Sequence, residues 1–249
     1  MSAPHPDWIV PDWPAPAGVK ALITTRAGGV STGPFASFNL GVRAGDDPQA
    51  VAANRTRLNA LLPQAPRWLR QVHGSLVVEA DTLSEEPEAD AAIARRPGTV
   101  CAVLVADCIP VLLVDRAGTT VGIAHAGWRG LARGVIENTV RTMASAGRDL
   151  IAYLGPGIGP AAFEVGNDVR EAFLARDAGA AAAFKPHTEG KWLADLFLLA
   201  RQSLQRAGVR EIHGGALCTY SDTQRFFSYR RSRTTGRMAA VIWRNRVHV

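Results

Sequence analysis

The sequence predicts an α+β fold: a single domain over residues 1–249, with mixed and antiparallel β-sheets flanked by helices. Three observations carry this expectation. Apolar runs of strand length at 99–105, 106–113 and up to His125 are separated by turn signals rather than by helices. Helix-spaced stretches are interspersed irregularly instead of alternating strictly with strands. Finally, there is no internal repeat and no low-complexity linker, and a 249-residue chain with 47% hydrophobic and 20% charged residues suffices for one sizeable core.

Taken in order, residues 1–16 are rich in Pro, Asp and Trp and read as an irregular segment. A short strand at 19–25 ends in the turn Arg26-Ala27-Gly28-Gly29-Val30-Ser31. Its paired glycines permit close backbone approach, but neither a GxGxxG nor a Walker pattern is present, so the phosphate-cradle signal is weak. Asp46-Asp47-Pro48 caps and opens a helix with Val51, Leu58, Leu61 and Leu62 on one stripe. Asn54 and Arg55 lie off that stripe; the simplest reading is a solvated face, the alternative a cleft wall.

Gln71-Val72-His73-Gly74 precedes a strand at 76–78, and residues 81–87 form an acidic surface loop. The run 99–105 alternates, with Cys101, Val103 and Val105 facing one way, so Cys101 reads as a small core hydrophobe. Helical spacing over 131–143 ends toward Gly147 as a C-cap. A strand at 150–154 leads into a rigid Gly/Pro loop, 155–160. Helices follow at 168–176 and from Asp195 to Gly208, with a short alanine-rich turn at 178–183 between them. Strands at 212–217 and 238–243 flank the loop 221–237, whose Arg225, Arg230, Arg231, Arg233 and Arg237 make the most basic patch.

Lys and Arg total 28 against 22 Asp and Glu, and lysine occurs only at 20, 185 and 191. A basic balance suits anionic substrates; a general use of Arg in place of Lys is the blander explanation. Outside the last quarter no dense basic run interleaves with aromatics, so no nucleic-acid partner is expected. Three cysteines are an odd count that argues against a disulfide framework and for a reducing compartment. With no signal-peptide pattern and no run of 18 apolar residues, the expectation is a soluble, cytoplasmic protein, monomeric or a small homo-oligomer, with no membrane partner.

The chemistry concentrates in Ala106-Asp107-Cys108-Ile109-Pro110-Val111-Leu112-Leu113 and Ala124-His125-Ala126-Gly127-Trp128-Arg129-Gly130. The turn Asp115-Arg116-Ala117-Gly118 makes the two runs an antiparallel hairpin, which sets Cys108 and His125 at one sheet edge. A helix beginning at about Trp128 would offer its N-terminus to an anion beside them. A third ligand, His73, would complete a His₂Cys set with an open position, as catalytic zinc uses. Compact metal signatures such as HExxH and paired CxxC are absent; His187-Thr188-Glu189 matches H-x-E without its cysteine half. Spacing alone leaves three readings open: a zinc site, a Cys–His nucleophilic pair, and a structural role.

The motifs Gln71 to Gly74, Ala106 to Leu113 and His125 to Gly130 closely resemble the laccase-domain family. Its members are also described as multicopper polyphenol oxidases, purine nucleoside phosphorylases or peptidoglycan editing factor. The resemblance continues through Arg26 to Ser31, Asn39-Leu40-Gly41, Gly155 to Gly159, Phe226 to Arg231 and Thr235-Gly236-Arg237.

It implies zinc held by His73, Cys108 and His125, and phosphorolysis of purine nucleosides (adenosine, inosine, guanosine, methylthioadenosine) to base and pentose 1-phosphate, with adenosine deamination as a side activity. Catalytic roles then fall to Cys108, His125 and His73, with Asp107 orienting a ligand histidine or bonding substrate. Arg129, Arg55, Asn39 and Arg230 are the substrate-binding candidates. A multicopper laccase needs on the order of ten histidines; this chain has six, at 5, 73, 125, 187, 213 and 248. Copper at the His₂Cys site, with weak oxidase activity, is the secondary expectation. Two rivals stand beside these: a metal-free Cys108–His125 hydrolase or amidase acting on cell-wall precursors, and a binding module whose structural zinc takes Cys218 or His213 as fourth ligand.

Overall fold

A computed structural model describes residues 3–245; His248 lies outside them. Twelve strands run in chain order: β1 Val19–Ile23, β2 Val77–Glu79, β3 Ala91–Ala94, β4 Cys101–Val105, β5 Ile109–Asp115, β6 Val121–Ala126, β7 Leu150–Leu154, β8 Glu164–Gly166, β9 Phe184–Pro186, β10 Lys191–Ala194, β11 Glu211–Gly214 and β12 Met238–Arg244. The helices are α1 Pro48–Asn59, α2 Trp128–Ala132, α3 Val135–Met143, α4 Asn167–Leu174 and α5 Leu196–Arg206.

A six-stranded mixed sheet has the order β11-β7-β5-β6-β3-β2; its outer pairs β11–β7 and β2–β3 are parallel and the rest antiparallel. A three-stranded antiparallel sheet, β1-β12-β4, stacks on one face of it, and a small sheet, β8-β10-β9, lies apart. The α+β expectation with mixed and antiparallel sheets holds.

Alternation along the strands explains the layering. In β5, Ile109, Val111 and Leu113 face the helices, where they meet Val135, Ile136, Val140 and Leu199. Leu112 and Val114 face the other way, onto Cys101, Val103, Val105, Ala240 and Ile242 of the smaller sheet. That sheet's outer face (Leu22, Ala102, Val241) packs on Phe38, Leu40 and, from α1, Leu58. The result is helix, sheet, sheet, helices. With all of β5 buried, each of its large side chains contributes about 1.5–3 kcal/mol of transfer free energy. The hairpin beneath the site is therefore rigid.

Several expectations need correction. The helix expected over 131–143 is broken at Gly134, whose φ of 86° is left-handed, and α3 is capped by Ala144 (φ 58°) rather than by Gly147. Asn54 is fully buried, not solvated: with Val51 and Leu58 it forms the true inward stripe of α1 at spacings of three and four. Its amide is satisfied there, accepting from Val30 N and donating to Ser31 Oγ and the carbonyls of Ser37 and Asn39. The Gly28–Gly29 turn packs on protein: Gly29 is pressed against the Ser37 backbone, and the N–H groups of Gly29 and Val30 donate to Ser37 Oγ and Asn54 Oδ1. The strand expected at 212–217 stops at Gly214.

Candidate functional site

Register places the first two residues. Pro110 pairs with His125 and Ile109 with Ala126, so Cys108, one residue before β5, sits beside the end of β6. His73 comes from the loop before β2, in the left-handed region at φ 57°. The ligand atoms of His73, Cys108 and His125 lie within 4.8 Å of one another, and the imidazoles meet edge-on with centroids 4.8 Å apart. Gly127 leaves the space they need, since a Cβ there would stand 2.7 Å from Cys108 Sγ and 3.2 Å from His73 Cδ2. Asp107 is also left-handed, at φ 98°. Two non-glycine residues in that region at one site mark backbone held by its surroundings.

Asp90 does the holding for His73, and sequence reasoning missed it. Its wholly buried carboxylate accepts from His125 Nδ1 (2.8 Å) and from the backbone N–H groups of Val72 (3.1 Å), His73 (3.0 Å) and Gly74 (2.6 Å). Its carbonyl accepts from His125 N at 2.7 Å. With Nδ1–H engaged, His125 presents Nε2 to the cluster, the arrangement found behind metal-bound histidines. The role expected of Asp107 toward a ligand histidine therefore belongs to Asp90. The Asp107 carboxylate instead accepts from Thr219 Oγ1 (2.7 Å) and Arg230 N (2.6 Å), tying the basic loop to the strand end. The available signal was one charge in Ala89-Asp90-Ala91, at the head of an otherwise small, buried strand.

Electrostatics follow from these contacts. Burial raises the Asp90 carboxyl, but the His125 hydrogen bond and charge, with the backbone donors, outweigh it and hold Asp90 below its ordinary range. Burial likewise pushes the Cys108 thiol up, yet His125 and His73 bring it down to about 6. His125 is lowered by burial and raised more strongly by Cys108 and Asp90, to about 9. The metal-free cluster is thus a thiolate–imidazolium pair, in which the thiolate is ready to bind a metal and His125 would give up its Nε2 proton to do so.

The cluster opens into a cavity of about 570 Å³, within the range of small-molecule sites. Arg43, Arg55, Arg129, Arg230, Arg233 and Arg237 line it, against the carboxylates of Glu86 and Asp107. Arg55 thus takes its alternative place, a cleft wall. Arg129 lies over the Trp128 ring at the head of α2, which is only five residues long. Arg230 donates through Nη1 to Glu164 O (2.7 Å) and lies over Phe163. Arg231 donates to the carbonyls of Thr219, Tyr220 and Phe226 and is not a lining residue. Asn39 is no lining residue either: its buried amide accepts from Gly41 N and Arg237 N and donates to Asp46. It supports the wall from behind.

The donor set fits a metal ion: one soft thiolate and two imidazoles, one already oriented from behind. Neither proposed fourth ligand joins it. Cys218 Sγ accepts from Gly159 N and Ser221 N, and His213 pairs with Glu211. Three protein donors would leave a coordination position for water or substrate, as catalytic rather than structural sites do.

Fold and site together define a class. A family model described as "Multi-copper polyphenol oxidoreductase laccase" matches residues 20–245, and the chain belongs to that family. More particularly, it is 54% identical over 237 residues to "Purine nucleoside phosphorylase PA4543" of Pseudomonas aeruginosa, covering 95% of this chain and 98% of that protein. It is 55% identical over 241 residues to "Purine nucleoside phosphorylase YfiH" of Escherichia coli, covering 94% and 98%. Among solved structures, Neisseria meningitidis protein NMB0706 superposes with a TM-score of 0.93 at 49% identity, covering 96% of this chain and all of that one. YlmD from Geobacillus stearothermophilus gives 0.84 at 32% identity, covering 92% and 93%.

Proposed function

We propose that this chain is a zinc-dependent purine nucleoside phosphorylase, converting adenosine, inosine, guanosine or methylthioadenosine and phosphate to free base and pentose 1-phosphate, with adenosine deamination as a side activity. The observation that carries this reading is the His73–Cys108–His125 cluster at the floor of an arginine-lined cavity. The names of relatives more than half identical over nearly the whole chain support it.

Phosphorolysis joins a phosphate oxygen to the sugar C1′ as the C1′–N9 bond breaks; the bonding pair leaves on the base, which takes up a proton. The excess of guanidinium over carboxylate in the cavity concentrates the phosphate dianion and stabilises the product phosphate ester. Apolar surface from Leu69, Ile158, Phe163 and Leu196 excludes water from a sugar developing oxocarbenium character. Asp90 keeps His125 and the His73 loop oriented, and Asp107 keeps Arg230 at the wall. His73, Cys108 and His125 would hold the metal; a zinc ion there supplies the Lewis acid that deamination at C6 requires.

Copper on the same set, giving weak oxidase activity, remains the second assignment for the ion. Metal content of protein purified without added metal, combined with phosphate-dependent release of hypoxanthine from inosine, tests the reading. Stoichiometric zinc and a phosphate requirement are expected. Base release that proceeds equally in Cys108→Ala overturns it, and full phosphate-dependent activity at substoichiometric metal overturns the zinc dependence.

A further inference from the structure

The acidic loop after β2 is anchored at both ends. At one, the Asp81 carboxylate accepts from the backbone N–H of Arg95 at 2.7 Å. At the other, Arg70 N donates to Pro87 O at 2.9 Å, and its guanidinium pairs with Glu88 at 2.8 Å. Between these anchors Glu86 turns to the cavity, with its carboxylate oxygens 3.2 Å from Arg43 Nη2 and 3.8 Å from Arg55 Nη1. Arg55 is set in place by the rest of its side chain: Nε donates to Leu40 O at 3.0 Å, and the guanidinium lies 4.3 Å over the Trp68 ring. Its side chain is 18% exposed, whereas that of Glu86 keeps 34%. Arg55 is thus the fixed partner, while Glu86 and the 61%-exposed side chain of Arg43 are the movable ones.

The other cavity arginines are engaged differently. Arg230 and Arg237 use Nη1 on main-chain carbonyls, and Arg129 and Arg233 lie over aromatic rings. Arg43 and Arg55 are the pair already set around a side-chain carboxylate, Arg43 by a hydrogen bond and Arg55 by charge at 3.8 Å.

We infer that Arg43 and Arg55 form the oxyanion subsite of the cavity and that Glu86 is its built-in counter-anion, displaced when phosphate enters. The choice of phosphate rests on the phosphorolysis reading; the subsite itself rests on the ion pairs. A carboxylate and a phosphate engage guanidinium nitrogens through the same hydrogen-bond geometry, so they compete. Glu86 keeps the two cations paired in the empty pocket and lowers affinity for weaker or singly charged anions. Binding of a dianion sends its carboxylate to solvent, a short move for a half-exposed side chain on a loop pinned at both ends.

Calorimetric titration of inorganic phosphate, and separately of sulfate, into the metal-loaded protein at fixed ionic strength without nucleoside tests this. Glu86→Gln keeps the shape and removes the charge, and should tighten both anions about tenfold, the equivalent of about 1.4 kcal/mol. Glu86→Ala should do the same, and Arg55→Met should abolish the gain. Unchanged or weaker binding in both Glu86 variants, or no anion binding in any form of the protein, overturns the assignment. Phosphorolysis with an equal phosphate KM in wild type and Glu86→Gln overturns it while leaving the phosphorylase reading intact. Tighter anions without phosphate-dependent base release leave the subsite standing and overturn the phosphorylase.

Discussion

The cluster has two halves built by different means. Cys108 and His125 sit on the β5–β6 hairpin, whose strands are wholly buried and whose register alone brings the two side chains together. His73 stands on an exposed loop in a left-handed conformation, held by three backbone hydrogen bonds to one carboxylate. One half is set by packing spread over many residues, the other by a single group. The difference teaches where the site is fragile: at Asp90, which bonds both the packed half and the loop half.

Removing a ligand from the rigid half has the largest effect. Cys108→Ala should lose its stoichiometric metal and, with it, phosphate-dependent base release, while the buried hairpin keeps the fold; metal analysis and circular dichroism check both. Asp90→Asn should come next, lowering metal affinity roughly 10- to 100-fold by letting the His73 loop loosen. Hydrogen exchange should quicken at Val72, His73 and Gly74 and remain slow in β5 and β6. Equal exchange in both regions would erase the distinction drawn between the halves. Gly127→Ala presses hardest on the packed half: a Cβ 2.7 Å from Cys108 Sγ, and 3.2 Å from His73 Cδ2, introduces about 1–3 kcal/mol of strain, read as about a tenfold loss of metal affinity with exchange still slow in β5 and β6.

The smallest effects are in pH dependence. In metal-free protein, alkylation of Cys108 should follow thiolate formation with a midpoint of about 6, and that midpoint should move up in Asp90→Asn, where His125 is less readily charged. The folded-state pKa of Asp90 lies below its ordinary value, so its contribution to stability is complete above about 3.9 and is lost as pH falls through the folded value. Thermal melts of the metal-free protein from pH 7 downward should therefore show an acid limb that flattens in Asp90→Asn.

Sequence legibility followed the same division. The β5–β6 hairpin could be read because alternation, strand length and the turn ending at Gly118 all agree, and the structure gives Gly118 a φ of 68°. His73 gained meaning only through resemblance, because nothing local marks a loop histidine as a ligand. Asp90 was invisible for a related reason: its partners are 16 to 18 residues away in the His73 loop and 35 away at His125, separations to which periodicity is blind. Asn54 misled because an amide in an apolar stripe reads as an outward position until its four partners are known. The β8-β10-β9 sheet went unread because its strands are three or four residues long, too short for alternation to register.

The inner sheet has a consequence for how the molecule comes into being. β12 is its central strand, pairing Val19 through Ile23 on one side and Cys101 through Val105 on the other. During synthesis β1 and β4 must wait, each with an unsatisfied edge, until Met238–Arg244 has left the ribosome. The Arg230–Arg237 wall is translated just before that strand, so the cavity closes in the same late event. A ribosome-stalled chain ending before Met238 should hold the β5–β6 hairpin yet expose two adhesive edges, and nascent chains of this protein are expected to depend on chaperones until β12 emerges.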